Sequence, residues 1–591
     1  MSDSNRKISE NAKKNANLIW NVANSIAGPF KPHEYGLVIL PMCVIKRFHD
    51  CLKDTADAVH EQDVKLGTMD SELKDGFLKN TAGYQFYNTS RFNFDRLVAD
   101  SENIETNFED YYTHFSSNVI EILTRMNFPA AIDRMKEAGI LYQVISDFNA
   151  EDLDMGPKRI STVDMGYIFE ELVRKFSESY DEQAGAHFTS KDIIELMCEL
   201  LLTNSNPDSF DVYDMAMGTS QMLTCMEDYI MERYPDATVN TFGQEFNPFT
   251  MGIAAADALI HGGSSENMRF GDTLSDDKFE GYTFDYVISN PPFGIDWKRE
   301  ATAVEAEFKK GEEGRFAPGL PSKSDGQMLF LLNGISKLRD GVGKMAIIQN
   351  GSSLFTGDAE TGPSEIRRYV IEHDWLDAIV QLPNDSFYNT GISTYVWIID
   401  KSKPERNPGK VQVIDASECF EGLKKPIGNK RVEITDKCRL LVAQAYSEYE
   451  TKDYESNNET GKTIVVKSRV LDSEDFGYRK VIVETPQRDT KGKIIRNSKG
   501  QPVADTGKRD TENVPLKETI EDYMKREVYP FNADAWYDQN KVKVGYEIPF
   551  TKIFYKFQPL EPSEHIASRI EVYERSLVEK LRDLFEQGKE E

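Results

Sequence analysis

The chain contains no apolar run approaching the roughly 20 residues that a membrane span requires, so no spanning segment is expected. Its first residues, Met1-Ser2-Asp3-Ser4-Asn5-Arg6-Lys7, are polar, and a secretory leader is not expected either. Cysteine is scarce. Cys43, Cys51, Cys198, Cys225, Cys419 and Cys438 are scattered without any Cys-x-x-Cys spacing. That pattern argues against a disulfide framework and a zinc site, and fits a reducing cytoplasm. The eight histidines show no metal-ligand spacing, so no metal centre is expected.

Positive charge is also short. Seventy Lys and Arg face 99 Asp and Glu, a formal net charge of −29. A protein that grips a nucleic-acid backbone alone carries a basic face. Either the substrate is not a polyanion, or another subunit supplies most of the phosphate contacts. The chain has no Gly-x-Gly-x-x-Gly fingerprint at its glycine turn. Gly461-Lys462-Thr463 looks like the end of a phosphate loop, but Ser456 stands where the first glycine is needed and no apolar strand precedes it. An NTPase site is not expected.

What is present divides the 591 residues into three textures. Residues 1–155 read as a helical domain: Asn17-Leu18-Ile19-Trp20-Asn21-Val22-Ala23 and Tyr35-Gly36-Leu37-Val38-Ile39-Leu40 carry apolar residues at helical spacing, with Gly28-Pro29 as a break. Beyond residue 156, short β-rich runs alternate with helical patterns. The strands are expected at 211–213, 239–242, 284–288, 344–348, 376–380 and 394–399, with helices at 221–234, 248–261, 327–339 and 363–373. Such alternation predicts an α/β fold, a doubly wound, mostly parallel Rossmann-like sheet whose ligands bind outside the carboxyl ends of the strands. Residues 476–591 form a C-terminal α+β region. It contains a Gly- and Lys-rich segment, Lys491 to Arg509, expected as a flexible hairpin tip. Its final stretch spaces Ile566, Ile570, Tyr573, Leu577, Leu581 and Leu584 by threes and fours, an amphipathic helix with Ser563 as its N-cap. That helix either packs on its own domain or docks onto a partner.

Asn290-Pro291-Pro292-Phe293 follows the apolar run Tyr286-Val287-Ile288-Ser289. Two prolines cannot continue a strand ladder, because they lack the N–H donor and fix φ. The backbone therefore leaves the sheet at Asn290, displaying a carboxamide, a free carbonyl and an aromatic ring. The Asn290 amide oxygen and the Pro291 carbonyl can accept two hydrogens of an exocyclic amine, while Phe293 stacks on the ring that bears it. Taken alone, the tetrapeptide serves equally well as a strand-to-loop turn with an aromatic plug.

Its neighbours shift that balance. After the first strand comes Asp214-Met215-Ala216-Met217-Gly218-Thr219-Ser220 and then a helix, an arrangement that lets backbone approach a nucleotide-type ligand. The second strand ends at Phe242 and is followed by Gly243-Gln244-Glu245-Phe246-Asn247, placing an acid about 30 residues beyond the glycine turn, where it can hold ribose hydroxyls. Gly271-Asp272-Thr273-Leu274 closes the third unit, and Asp272 can accept from an adenine-type amine. A cofactor turn, a ribose acid, an adenine-type acid and an amine-gripping tetrapeptide thus stand at successive strand ends.

With those residues in that order the chain resembles amino-methyltransferases that use S-adenosylmethionine, the Asn-Pro-Pro-Phe form being typical of those acting on N6 of adenine in DNA. The resemblance extends over roughly residues 10–480, to the modification subunit of type I restriction-modification systems. Trp20, Tyr35 and Leu40 look like that family's N-terminal domain. Gly185-Ala186-His187-Phe188-Thr189 resembles its methionine-side loop. Arg315-Phe316-Ala317-Pro318-Gly319-Leu320-Pro321 with Ser324-Asp325-Gly326 resembles a loop following its catalytic motif. Two departures stand out: Met215, Ser220 and Gln221 interrupt the usual Asp-Pro-x-x-Gly-[Ser/Thr]-Gly-Gly turn, and Ser190 replaces a usual proline.

The resemblance implies a methyltransferase domain over 156–475 and a C-terminal region, 476–591, with a partner-docking helix. It implies catalytic roles for Asn290, Pro291, Pro292 and Phe293, with Phe387 as a second stacking face. The cofactor would lie against Gly185, His187, Phe188, Thr189, Asp214, Ala216, Gly218, Thr219, Ser220, Glu245, Phe246, Asp272, Thr273 and Leu274. The implied partners are duplex DNA, a DNA-specificity subunit, a second copy of this chain and, for restriction, a translocase subunit. The alternatives left open are a degenerate scaffold without cofactor, or an amino-methyltransferase acting on RNA or on protein glutamine.

Overall fold

The structure, a computed structural model, describes residues 10–160, 189–203, 209–260, 266–387, 390–427, 429–555 and 561–587, together with scattered positions between 164 and 175. Among the described residues no helix is long and apolar enough to cross a membrane. Contacts divide the chain into two compact units, Met1–Ile548 and Pro549–Glu591.

Among the described residues, helices follow one another from Glu10 to Phe148. Their centre is Gly36–Leu52, which is buried on almost every side. The expected break is present: Gly28 has a φ of 99°, which side-chain-bearing residues rarely adopt. The core of this helical layer also includes Ile253, Ala255, Ala256 and Leu259 from the helix Pro248–Ile260. Contact there is close, since a Cβ on Gly252 would lie 2.6 Å from Met126 Cγ. One face of a sheet helix is therefore covered by the N-terminal helices.

The principal sheet has ten strands: β1 (Ser209–Asp214), β2 (Thr238–Glu245), β3 (Met268–Phe270), β4 (Tyr286–Ser289), β5 (Lys344–Asn350), β6 (Leu376–Gln381), β7 (Thr394–Asp400), β8 (Lys410–Glu418), β11 (Lys452–Asn457) and β12 (Thr463–Asp472). A separate hairpin pairs β9 (Glu421–Ile427) with β10 (Lys430–Glu433). The spatial order is β11-β12-β8-β6-β7-β5-β4-β1-β2-β3. β3, β2, β1, β4 and β5 run parallel. Strand β7 is antiparallel between β5 and β6. The link from β6 to β7 has no helix among its described residues, so the chain reverses in place of crossing over. The Val/Ile-rich runs of β4, β5 and β7 are buried along almost their whole lengths, as strands covered on both faces must be.

All six expected strands are present, and the four expected helices occur as Gln221–Arg233, Pro248–Ile260, Gln327–Ser336 and Gly362–Glu372.

A second sheet is built on β13 (Gly477–Glu484), paired with β14 (Asp510–Pro515), β15 (Trp536–Tyr537) and β16 (Lys543–Tyr546). The buried guanidinium of Arg367 fastens it, donating to the Tyr546, Ser353 and Thr356 carbonyls at 2.7, 3.0 and 2.9 Å. The segment expected as a flexible tip is instead a small ordered meander. The second unit contains the helix Ser563–Gln587, with Ile566, Ile570, Tyr573 and Leu577 exposed along one stripe. That helix begins at Ser563 itself, one position earlier than a cap there requires.

Candidate active site

β1, β4 and β5 are neighbours and β2 flanks β1, so the turns that leave their carboxyl ends share one edge of the sheet. The tetrapeptide leaves β4 there. Asn290 Nδ2 donates to Thr189 Oγ1 at 2.8 Å, while Asn290 Oδ1 is buried with no partner in the protein. Pro291 is buried, and half-buried Phe293 rests against the hydrophobic cluster of this sheet face. Gly294, at φ 75°, turns the chain outward. The departing loop is held by its successor: Gly326 N–H donates to the Ile295 carbonyl at 3.0 Å and Trp297 Nε1–H to the Ser322 carbonyl at 2.9 Å.

Thr189 is fixed from behind. The buried Lys430 ammonium, on β10, donates to Asp192 Oδ2 at 2.9 Å, to Ser190 Oγ at 3.2 Å and to the Ser386 carbonyl at 3.2 Å. Ile434 N–H donates to the same carboxylate at 2.8 Å. The β9–β10 hairpin thereby clamps the start of the helix Lys191–Leu202.

The glycine turn lies beside β4. Asp214 is fully buried; its Oδ1 accepts from Ser289 Oγ at 2.6 Å and Ala216 N–H at 3.0 Å, and its Oδ2 has no partner. Burial pushes the Asp214 carboxyl up to about 7, against the opposing pull of those two donors. Gly218 and Ser220 have φ of 55° and 70°. Ser220 thus keeps the left-handed backbone that a glycine adopts freely, at a cost of roughly 1–2 kcal/mol. The Ser220 hydroxyl is buried without a partner, whereas Ala216 and Thr219 are half-buried on the turn. The turn presses on β2, for a Cβ on Gly243 would lie 2.2 Å from Met217 Sδ.

Glu245, 5 % exposed, ties β2 to that turn: Oε2 accepts from Gly218 N–H at 3.0 Å and Oε1 from Asn247 N–H at 2.7 Å. Burial pushes its carboxyl up as well. The next residue, Phe246, is exposed. After β3, half-buried Asp272 accepts from Leu274 N–H and Ser275 N–H, both at 2.9 Å, through Oδ1. Thr273 Oγ1 donates to the Met215 carbonyl at 2.5 Å, and Leu274 is buried.

The loop after the tetrapeptide reaches back to this corner. Arg315 donates to the Thr273 carbonyl at 2.7 Å, Asn333 Oδ1 at 2.8 Å and Glu307 Oε2 at 2.7 Å. Asn290, Pro291, Phe293, Thr189, Asp214, Ala216, Gly218, Thr219, Ser220, Glu245, Phe246, Asp272, Thr273 and Leu274 therefore occupy connected turns on one edge. Phe387 differs. It is 2 % exposed inside the hydrophobic cluster that Phe293 covers, so its ring is not presented to a stacking partner. Gly185, His187 and Phe188 lie outside the described residues.

Ser289, Asn333 and Lys430 were not expected at the site. Ser289 and Asn333 look in sequence like ordinary strand and helix residues, and Lys430 lies 240 residues from Ser190. Among the described residues no cluster of His, Cys, Asp and Glu could hold a metal ion.

Residues 161–476 match the family described as N-6 DNA Methylase, and residues 15–148 match the HsdM N-terminal domain. The chain belongs to the N-6 DNA methylase family. It is similar to the type I restriction enzyme MjaIX methylase subunit of Methanocaldococcus jannaschii, at 23 % identity over 75 % of this chain and 79 % of that protein. It is also similar to the HindI methylase subunit of Haemophilus influenzae, at 28 % identity over 46 % of this chain and 57 % of that protein. Among solved structures, the fold is similar to a type I restriction-modification methyltransferase subunit from Streptococcus thermophilus, with a TM-score of 0.60 and 23 % identity. That likeness covers 79 % of this chain and 97 % of the other. In this member of the N-6 DNA methylase family the α/β sheet includes the antiparallel β7, and the N-terminal helices pack against the helix after β2.

Proposed function

We propose that this chain is the modification subunit of a type I restriction-modification complex and transfers a methyl group from S-adenosylmethionine to N6 of an adenine rotated out of duplex DNA. The reading is carried by one observation above all. Asn290 Oδ1 is a buried acceptor without a donor, at the point where two prolines force the chain off the sheet. An exocyclic amine supplies that missing donor. Accepting one N6–H at Asn290 Oδ1 and the other at the Pro291 carbonyl draws electron density toward the nitrogen and favours its pyramidal form, directing the lone pair away from the ring. Phe293 offers a stacking face that offsets part of the few kcal/mol needed to unstack the base.

The residues present suit the cofactor. The unpartnered Asp214 Oδ2 and Ser220 Oγ are buried polar atoms lacking complements, which fits a ligand carrying both a cation and hydrogen-bonding groups. Glu245 and exposed Phe246 suit a ribose and a flat base, with Asp272 beside them; Thr189, Gly218 and Thr219 complete the contacts we assign. S-adenosylmethionine, when bound, supplies an electrophilic methyl group. The chain's own part is orientation and water exclusion, and neither a metal nor a strong general base is required.

On this reading the helical domain covers 1–155, the methyltransferase domain 156–475 and the C-terminal region 476–591. A DNA-specificity subunit reads the sequence and shares the phosphate contacts that a chain of net charge −29 lacks, with a second copy of this chain opposite and a translocase subunit joining for restriction. Co-expression with the specificity partner in methylation-deficient cells, followed by nucleoside analysis of the DNA, tests the proposal. N6-methyladenine at a single sequence context is expected. Methylation confined to RNA or to protein glutamine, or none at all, overturns it.

A further inference from the structure

The C-terminal region of this acidic chain carries a basic element. Between Thr485 and Arg509 lie seven basic residues and two acidic ones. This segment is built twice from the same turn. Arg488-Asp489-Thr490-Lys491-Gly492 and Arg496-Asn497-Ser498-Lys499-Gly500 repeat one pattern eight residues apart. In each, the first side chain donates to the glycine carbonyl: Arg488 Nη1 to Gly492 at 2.7 Å and Arg496 Nη1 to Gly500 at 2.8 Å. In each, the second side chain accepts from two backbone N–H groups. Asp489 Oδ1 takes Lys491 and Lys493 at 2.8 and 2.9 Å; Asn497 Oδ1 takes Lys499 and Gln501 at 2.9 and 3.0 Å. Gly492 and Gly500 have φ of 80° and 79°.

Backbone pairs Gln487–Val503, Ile495–Gln487 and Val503–Ile495 knit the two turns into a three-stranded meander. The turns spend their acidic and amide groups on their own backbone and leave the lysines outward. Lys491, Lys493 and Lys499 are exposed, and among the described residues none has an acidic partner.

The element's position follows from β13, which leads into it. The Gly477 end of β13 pairs with Tyr546, whose N–H donates to Ser364 Oγ within the helix Gly362–Glu372. Three residues on, Lys480 pairs with Asp358, and Lys543 opposite it with Glu360, in the turn before that helix. That turn follows the carboxyl end of β5. These contacts place β13 against the segment that follows the carboxyl end of β5, the strand beside β4 from which Asn290 departs, and the meander is joined to the Glu484 end of β13.

We propose that this meander is a phosphate-contacting arm that grips duplex DNA beside the methylation site. The proposal rests on the methyltransferase reading above and adds a contact to it. Opposite charge selects the occupant: a net-positive ordered element on a chain of net charge −29 meets a polyanion with three unpaired ammonium groups. The ammoniums sit on turns fixed by six side-chain-to-backbone hydrogen bonds, so little order is lost on contact.

The test uses the full chain purified with the subunits it assembles with, a labelled random-sequence duplex and fluorescence anisotropy across a KCl series. Lys491→Glu, Lys493→Glu and Lys499→Glu together are expected to lower the slope of log K against log[KCl] by about 2–3 and to weaken binding about tenfold or more at moderate salt. Lys→Gln at the same positions is expected to give an intermediate effect, with thermal melting unchanged in both. A slope and affinity equal to wild type, in a variant that still transfers methyl groups, overturns the arm. So does loss of subunit association with an unchanged slope, since the basic face then meets protein. A wild-type complex that binds with the expected slope and transfers no methyl group leaves the arm standing and sinks the methyltransferase reading instead.

Discussion

Asn290 cannot orient itself, because a carboxamide on a loop turns freely unless one end is held. Thr189 holds it, receiving the Nδ2–H at 2.8 Å and leaving Oδ1 for an incoming donor. Thr189→Val removes that acceptor at constant shape. It is expected to lower kcat about tenfold or more with KM for DNA little changed, measured by steady-state methyl transfer. Asp214 adds a pH dependence. Its carboxyl is pushed up to about 7 by burial, so it is largely neutral below that pH and anionic above it. A cationic ligand prefers the anion. Cofactor Kd, measured calorimetrically, is therefore expected to fall as pH rises from about 6 to about 8, and the Asp214 contribution to disappear in Asp214→Asn. The same raised value means that Asp214 lowers stability progressively as pH rises from its unfolded range toward 7, because the unfolded carboxyl ionises first. The tetrapeptide was legible because two adjacent prolines allow few backbone paths. The Thr189 contact was not, since nothing in a sequence announces a hydrogen bond spanning 101 residues.

Among the elements, the β9–β10 hairpin stabilises a loop to which it is not adjacent in the chain. Lys430 is 3 % exposed and faces Asp192, 8 % exposed. Removing one member leaves a buried charge uncompensated, which typically costs about 3–5 kcal/mol. Lys430→Met is therefore expected to destabilise the protein by an amount in that range in urea unfolding. Adding Asp192→Asn should recover part of the loss, and strictly additive losses would show that the two do not act as a pair. The strands of the sheet centre were legible because β4, β5 and β7 are unbroken Val/Ile-rich runs. β3 spans only Met268–Phe270 and offers no period to detect. The Lys491–Arg509 segment has the composition of a mobile tip. Its order comes from a repeated Asx turn, a pattern of single side chains that composition conceals.

At the scale of the whole molecule, charge and architecture point the same way. Acidic residues exceed basic ones to give a net charge of −29, while the turns converge on an asparagine whose Oδ1 is a buried acceptor without a partner. The order of motifs along the chain conveyed the division between a helical region and an α/β sheet. The attachment of the N-terminal helices to Pro248–Ile260, and the antiparallel β7, depend on packing between distant segments and left no local signature. The central claim is that Asn290 Oδ1 receives the amine of the methylated base. Its most direct test is transfer of tritiated methyl from S-adenosylmethionine to duplex DNA by the assembled complex, comparing wild type with Asn290→Ala. The account predicts label on adenine N6 in wild type, a loss of about 100-fold or more in the variant, and cofactor affinity within about twofold. Wild-type rates in Asn290→Ala, or label elsewhere than adenine N6, would contradict it.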